Sequence, residues 1–132
     1  MKLKKRGTYL ELPLSGLCIK EIVYDGLLRL VFNDREKSYL DLHNDFFVDQ
    51  YNQETKLHPK QKESLIFFYN QFGEEVKEAL ADTKGNLWIT FINGTKITVQ
   101  DGPHENWHYT KRNLNNKSDS LFVHGGVGTT TH

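Results

Sequence analysis

Residues 104–108 of the chain read His-Glu-Asn-Trp-His, which matches the His-Glu-x-x-His pattern of zinc-dependent proteases. In those enzymes the pattern lies on a helix, because helical spacing brings two imidazoles four residues apart onto one metal ion. Here Gly102-Pro103 precede the pattern, and Trp107 and Tyr109 favour a β-strand. In a strand, residues four apart are on the order of 13 Å from each other, too far to share an ion. We therefore interpret the match as coincidental and predict a non-enzyme without a metal or a cofactor.

The glycines and threonines near the end of the chain resemble a phosphate-binding loop. Such a loop holds its ligand at the start of a following helix, and residues 125–132 leave no room for one. We expect instead a tail, or a final strand reached through a tight turn. The six histidines show no sequence spacing typical of a metal site, so they do not alter this interpretation.

Composition excludes several classes of partner. Lysine plus arginine and aspartate plus glutamate both number 17, so the formal net charge is zero, which argues against a general nucleic-acid-binding protein. No apolar run approaches the roughly 20 residues that span a bilayer. Cys18 is the only cysteine, so no internal disulfide forms. We expect a cytoplasmic protein that binds neither membranes nor nucleic acids, with residues 1–15 as an N-terminal segment that begins in a solvated basic tail.

An internal repeat is the most informative feature of the sequence. Gly16, Lys20-Glu21 and Asp25 recur 57 positions later as Gly73, Lys77-Glu78 and Asp82. After an insertion of two residues the similarity resumes at an offset of 59, where Leu28, Leu30, Phe32 and Leu40 correspond to Leu87, Ile89, Phe91 and Val99. The chain therefore consists of two related units, residues 16–50 and residues 73–100, within one domain of 132 residues.

Each unit reads as a three-stranded antiparallel meander. Apolar residues alternate with others around Leu30 and Ile89, as expected for strands with one buried face. Asn33-Asp34 and Asn93-Gly94 then supply turn residues. We expect a fourth strand over residues 45–50, a polar loop over 52–57, and two C-terminal strands within 104–124.

One helix is predicted between the units, over residues 59–72. Pro59 suits its first turn and Gly73 its end. Its apolar side chains fall at helical spacing and are expected to form a core face, with a partner-binding groove as the alternative: Leu65, Phe68, Tyr69 and Phe72. The prediction is thus an α+β fold, a mainly antiparallel sheet or open roll from two meanders with one central helix packed on it.

Four short motifs carry a resemblance to a family. They are the segment from Gly16 to Asp34, the end of its second copy at Phe91-x-Asn93-Gly94, the run Gly102-Pro103-x-Glu105-x-Trp107, and the final Phe122-Val-His-Gly-Gly126. Together they resemble small uncharacterised bacterial domains with a duplicated β-hairpin unit and a Pro…Glu-x-Trp strand. The resemblance implies an immunity-like or accessory binding protein, of the kind encoded beside secreted toxins, rather than an enzyme.

Two functions follow as expectations. The first is binding of another protein, such as a toxin, with acidic side chains steering a basic partner. The residues predicted for this face are Glu74, Glu75, Glu78, Asp82, Glu105 and Trp107. The alternative is a pocket for a small ligand or nucleotide-like signal, lined by Trp88, Trp107, Gly125, Gly126 and Thr129. Glu105 and Trp107 also admit a purely structural role, and open sheet edges would permit a homodimer.

Overall fold

The computed structural model describes residues 1–132 and contains thirteen β-strands, one α-helix and one short 3₁₀ helix. The first seven strands are β1 (Lys4–Arg6), β2 (Tyr9–Glu11), β3 (Ile19–Tyr24), β4 (Leu28–Phe32), β5 (Tyr39–Leu42), β6 (Phe46–Gln50) and β7 (Gln53–Leu57). Then follow α1 (Lys62–Tyr69), β8 (Val76–Ala81), β9 (Leu87–Phe91), β10 (Lys96–Val99), β11 (Glu105–Lys111), the 3₁₀ helix (Lys117–Asp119), β12 (Leu121–Gly126) and β13 (Thr129–Thr131). The only α-helix is too short to cross a membrane.

The strands form two antiparallel sheets that share one core. One sheet has seven strands in the order β1-β2-β8-β9-β10-β6-β7, and the other has six in the order β13-β12-β11-β5-β4-β3. Alternate side chains of both sheets point inward and meet in a cluster of 25 buried residues. The predicted class, a mainly antiparallel β fold with a single helix, is confirmed.

The two repeated units lie in different sheets and exchange a strand. Strands β3–β5 of the first unit belong to the six-stranded sheet, and β8–β10 of the second belong to the seven-stranded sheet. The strand that follows the meander of each unit crosses over: β6, at the end of the first unit, pairs with β10, and β11, which comes after the second unit at residues 105–111, pairs with β5. Each unit therefore completes its sheet with the fourth strand of the other.

The repeated Lys-Glu pair marks a β-bulge at the same place in both units. In the first unit Ile19 lies opposite Phe32 and Glu21 lies opposite Val31, so one residue is extra. In the second unit the register shifts in the same way between Val76 and Glu78. A bulge adds local twist to a strand.

The proposed alignment of the return strands is wrong by two residues. Leu40 lies opposite Leu30, and the residue in the same relation to Ile89 is Ile97 rather than Val99. The reason is the length of the preceding turn. The amide of Phe32 bonds the carbonyl of Ser38, whereas the amide of Phe91 bonds that of Thr95, only four residues ahead.

Two segments that we expected to be irregular form strands instead. The N-terminal segment contains the β1–β2 hairpin, and Leu10, Leu12 and Leu14 are buried in the core, so the basic residues do not form a free tail. Residues 53–57 form β7, the edge strand beside β6. Four of its five residues are exposed, so no apolar alternation marks this strand in the sequence.

The helix is shorter than predicted and buries fewer side chains. It begins after Gln61 rather than at Pro59 and ends at Tyr69. Phe68 is fully buried and its ring lies 5.6 Å from that of Phe46. Tyr69 and Phe72 are exposed, because the two sheets already enclose most of the core.

Candidate functional site

Three side chains converge on the outer face of the six-stranded sheet, and we call Glu105, His108 and His124 the Glu-His cluster. One carboxylate oxygen of Glu105 lies 2.8 Å from Nε2 of His108, and the other lies 3.3 Å from Nδ1 of His124. One donor atom from each residue falls within 4.8 Å of the other two. A carboxylate and two imidazoles are a donor set that a metal ion accepts.

A β-bulge brings Glu105 to the same face as His108. Residues three apart in a regular strand point to opposite faces of the sheet. Here Glu105 lies opposite Gly126 and Trp107 lies opposite Gly125, so Asn106 is an extra residue. The buried Asn106 side chain donates to the carbonyl of Gln100 at 2.8 Å, which stabilises the bulge.

Strand pairing supplies the remaining histidine of the cluster. His108 and His124 are direct partners in the register of β11 and β12, and their ring centroids lie 5.3 Å apart. Directly opposed residues of an antiparallel pair hold their Cβ atoms about 5 Å apart. The pairing of these two strands therefore fixes the separation of the imidazoles.

His43 lies beside the cluster. Its ring centroid is 4.8 Å from that of His108, and its backbone amide donates to the carbonyl of Asn106 at 2.9 Å. Loss of hydration and the neighbouring His108 lower the pKa of His43, which favours its neutral form. The hydrogen bond with His108 lowers the pKa of Glu105, which favours the carboxylate.

The buried Asp41 lies opposite His108 in the register of β5 and β11, but its carboxylate forms an ion pair with Arg29. Arg29 donates from Nε and Nη2 to the two carboxylate oxygens of Asp41, at 2.7 and 3.0 Å. The guanidinium also lies 4.0 Å from the ring centroid of Tyr39. Asp41 is thus neutralised by a bidentate ion pair and does not belong to the cluster.

The sequence pattern that opened the analysis is only partly related to this cluster. Residues 105–111 form a strand, as expected, and His104 is not a member of the group. Glu105 and His108 meet His124, which lies on the next strand of the sheet. Sequence reasoning missed this group because neither the bulge nor the strand pairing can be read from residue spacing.

Trp107 has a structural role, and its assignment to a partner-binding face is wrong. Its side chain is fully buried, and its Nε1 donates to the carbonyl of Gly85 at 3.0 Å. A Cβ atom at Gly125 would lie 2.3 Å from that nitrogen, and one at Gly126 would lie 2.1 Å from the carbonyl oxygen of His104. Gly125 therefore permits close packing against the indole, and Gly126 permits the close approach of the backbone at His104 and Glu105.

The alternative ligand pocket is not formed by the residues predicted for it. Trp88 lies on the other sheet, where its ring centroid is 6.0 Å from that of Tyr9. Trp107, Gly125 and Gly126 are buried, and Thr129 is an exposed residue of β13.

Two of the four acidic residues predicted between 74 and 82 are engaged within the chain. Glu78 pairs with Arg6 at 2.6 Å. Asp82 accepts hydrogen bonds from the amides of Lys84 and Asn86 and from the Asn86 side chain. Burial acts to raise the pKa of Asp82, but these hydrogen bonds outweigh it and lower the pKa. Glu74 and Glu75 make no ion pair.

A second surface feature lies around the helix, and we call Tyr51, Ile66, Tyr69 and Phe72 the aromatic patch. Tyr51 is 92% exposed, Tyr69 63%, Ile66 51% and Phe72 36%. The rings of Tyr69 and Phe72 lie 5.3 Å apart. Tyr51, Ile66 and Phe67 line one groove of about 310 Å³ between α1 and the β6–β7 hairpin.

Tyr51 has an unusual backbone conformation. Tyr51 and Asn52 form the turn between β6 and β7, with φ angles of 55° and 61°. Two consecutive positive φ values match a type I′ turn, for which Asn-Gly is the preferred pair. A bulky aromatic in the left-handed region is uncommon.

Comparison with known proteins identifies one family. The model of a family of unknown function, DUF6188, matches residues 10–116. The matched segment includes both repeated units, the helix and β11. No curated protein and no solved structure matches the chain.

Proposed function

The chain belongs to DUF6188, a family of unknown function, and we propose that it is a non-catalytic, immunity-like protein that binds another protein through the aromatic patch. The observation that carries this proposal is the exposure of four large apolar side chains around a single short helix. Exposed apolar clusters on soluble domains are typical of interaction sites. Tyrosine is also enriched among the residues that contribute most to binding energy.

The conformation of Tyr51 supports the same surface. Holding a bulky residue in the left-handed region costs of order 1–3 kcal/mol, and such strain clusters at functional sites. With 92% of its surface exposed, Tyr51 recovers little of that cost by packing within the chain. Contact with a partner would give the strained residue a function.

The groove beside the patch is suited to an uncharged, largely apolar side chain of the partner. Its volume of about 310 Å³ would hold one large aliphatic or aromatic side chain. Five of the ten residues that line it are apolar, and Glu63 is the only charged one. We therefore infer that a protein partner inserts an apolar anchor between α1 and the β6–β7 hairpin.

Acidic residues around the patch give the partner an expected charge. Glu63 lines the groove, and Glu74 and Glu75 follow Phe72 along the chain. A basic partner surface would complement these carboxylates and associate faster at low salt. A toxin that acts on nucleic acid fits this description, since such a protein needs a basic cleft.

The test is a quantitative affinity purification from the native cells with matched variants. We expect the wild-type chain to capture a stoichiometric partner that is lost with the double variant Ile66→Ser and Tyr69→Ser. The control is Val23→Ser with Phe122→Ser, which removes two exposed apolar side chains from the other sheet. The control should retain the partner.

The purified pair then decides between binding and neutralisation. We expect a 1:1 complex whose affinity falls at least tenfold in the double variant, and a partner that inhibits growth unless the wild-type chain is co-expressed. Equal capture by the patch variant and the control would refute the patch as the interface. A partner that is harmless when expressed alone would refute the immunity-like role.

A further inference from the structure

We propose that the Glu-His cluster of Glu105, His108 and His124 is a binding site for a divalent transition-metal ion, with Zn²⁺ as its representative. This site lies on the six-stranded sheet and shares no residue with the aromatic patch, so it is independent of the proposed partner binding.

The spacing of the donors supports the assignment. Ligand atoms about 2.0–2.1 Å from a tetrahedral ion lie about 3.3 Å from one another. One carboxylate oxygen of Glu105 lies 3.3 Å from Nδ1 of His124, and the other lies 2.8 Å from Nε2 of His108, so the carboxylate lies between the two imidazoles. The largest separation within the group is below 4.8 Å, so small side-chain rotations bring all three donors to binding distance.

The chemistry of the donors selects the class of ion. Two imidazole nitrogens and one carboxylate oxygen suit Zn²⁺, Ni²⁺ and Cu²⁺. Calcium and magnesium prefer oxygen ligands, so neither fits a group with two nitrogens. Since Glu105 is exposed and both histidines are half-buried, water would fill the remaining coordination position.

The backbone beneath the cluster is fixed before any metal binds. The bulge at Asn106, the cross-strand pairing of His108 with His124 and the glycine at position 126 determine where the three side chains start. A site built on paired strands loses less entropy on binding than one built on a loop.

The test is calorimetric titration of the untagged full-length chain with ZnCl₂, with absorption of Co²⁺-loaded protein as a second measurement. We expect one ion per chain and the visible d–d bands of a low-coordinate cobalt site. His108→Gln and His124→Gln should each weaken binding by at least about tenfold, since even the loss of an outer-shell partner does so. Thermal unfolding with and without zinc checks that each variant is folded.

His104→Gln is the matched control. It removes a histidine adjacent to the cluster in sequence but outside it in the structure. A metalloprotease arrangement would bind the ion through His104 and not through His124. Zinc binding would then be lost in His104→Gln and retained in His124→Gln, the opposite of what we expect for the Glu-His cluster. Loss of binding in His104→Gln with retention in His124→Gln would overturn the proposal. So would a wild-type dissociation constant weaker than about 1 mM (roughly −4 kcal/mol), the level of adventitious surface binding.

Discussion

The indole nitrogen of Trp107 donates a hydrogen bond to the carbonyl oxygen of Gly85 and thereby joins the two sheets. Trp107 belongs to β11 of the six-stranded sheet, and Gly85 lies in the turn that precedes β9 of the other. A second hydrogen bond adds to this junction, since the amide of Gly85 donates to the hydroxyl of Thr130 at 3.0 Å. The run Glu105-x-Trp107 and the pair Gly125-Gly126 thus meet in one structural junction.

Replacing Trp107 tests this junction. Trp107→Phe keeps an aromatic ring but removes the donor to Gly85, and an unpaired buried carbonyl costs about 1–3 kcal/mol. Trp107→Ala should cost about 3–5 kcal/mol, because it also leaves a cavity. Urea denaturation measures both values. Trp88→Phe, on the outer face of the other sheet, is the control, and an equal loss there would contradict a special role for Trp107.

Glycine substitutions separate packing from backbone strain. Gly125→Ala places a methyl group 2.3 Å from the Trp107 nitrogen, a clash that the buried indole cannot relieve without moving. Gly128→Ala has open space around its Cβ and only the cost of a φ of 79°, about 1–2 kcal/mol. We expect Gly125→Ala to lower the free energy of unfolding clearly more than Gly128→Ala. The reverse order in urea melts would contradict the packing described for the indole.

Asp82 should contribute stability that depends on pH. Its pKa is lowered in the folded chain, so its contribution is complete above the unfolded value of about 3.9 and is lost as the pH falls through the folded value. Asp82→Ala removes three hydrogen bonds of the turn, and Asp25→Ala, at the equivalent position of the first unit, is the control. We expect the melting temperatures of wild type and Asp82→Ala to differ at pH 7 and to converge below about pH 4. A difference that does not change with pH would exclude this mechanism.

The turn at Tyr51 and Asn52 allows a test of whether its strained backbone conformation serves partner binding. Replacing the pair with Asn-Gly, the preferred type I′ sequence, should raise stability by about 1 kcal/mol. The same change removes the most exposed tyrosine of the aromatic patch, so partner affinity should fall while the melting temperature rises. A variant less stable than wild type would show that the tyrosine stabilises the turn.

The fold follows from the sequence where local patterns carry the information. Alternation around Leu30 and Ile89 predicts the central strands β4 and β9. The bulge at the repeated Lys-Glu pair is evident only from the strand register. The edge strand β7 and the β1–β2 hairpin escaped prediction because exposed or three-residue strands show no alternation. The order of the strands in each sheet depends on contacts between residues that are distant in sequence, so no local pattern predicts it.

The candidate site was also predictable from the sequence only in part. The strand character of residues 105–111 could be predicted, and with it the failure of helical metal geometry. The meeting of Glu105 with His124 depends on one extra residue in β11 and on the pairing of β11 with β12. The exposure of Tyr69 could not be predicted either, because an apolar stripe looks the same whether a core or a partner covers it.

The exchange of fourth strands between the units also has a consequence for the nascent chain. When the ribosome has released only the first unit, β6 has no neighbour on its β10 side and β5 has none on its β11 side. The seven-stranded sheet cannot form completely before β10 ends at Val99, and the six-stranded sheet also needs β11, β12 and β13, the last of which ends at Thr131. We therefore expect the chain to acquire its native structure after translation and as one cooperative unit, with chaperones protecting the open edges until then.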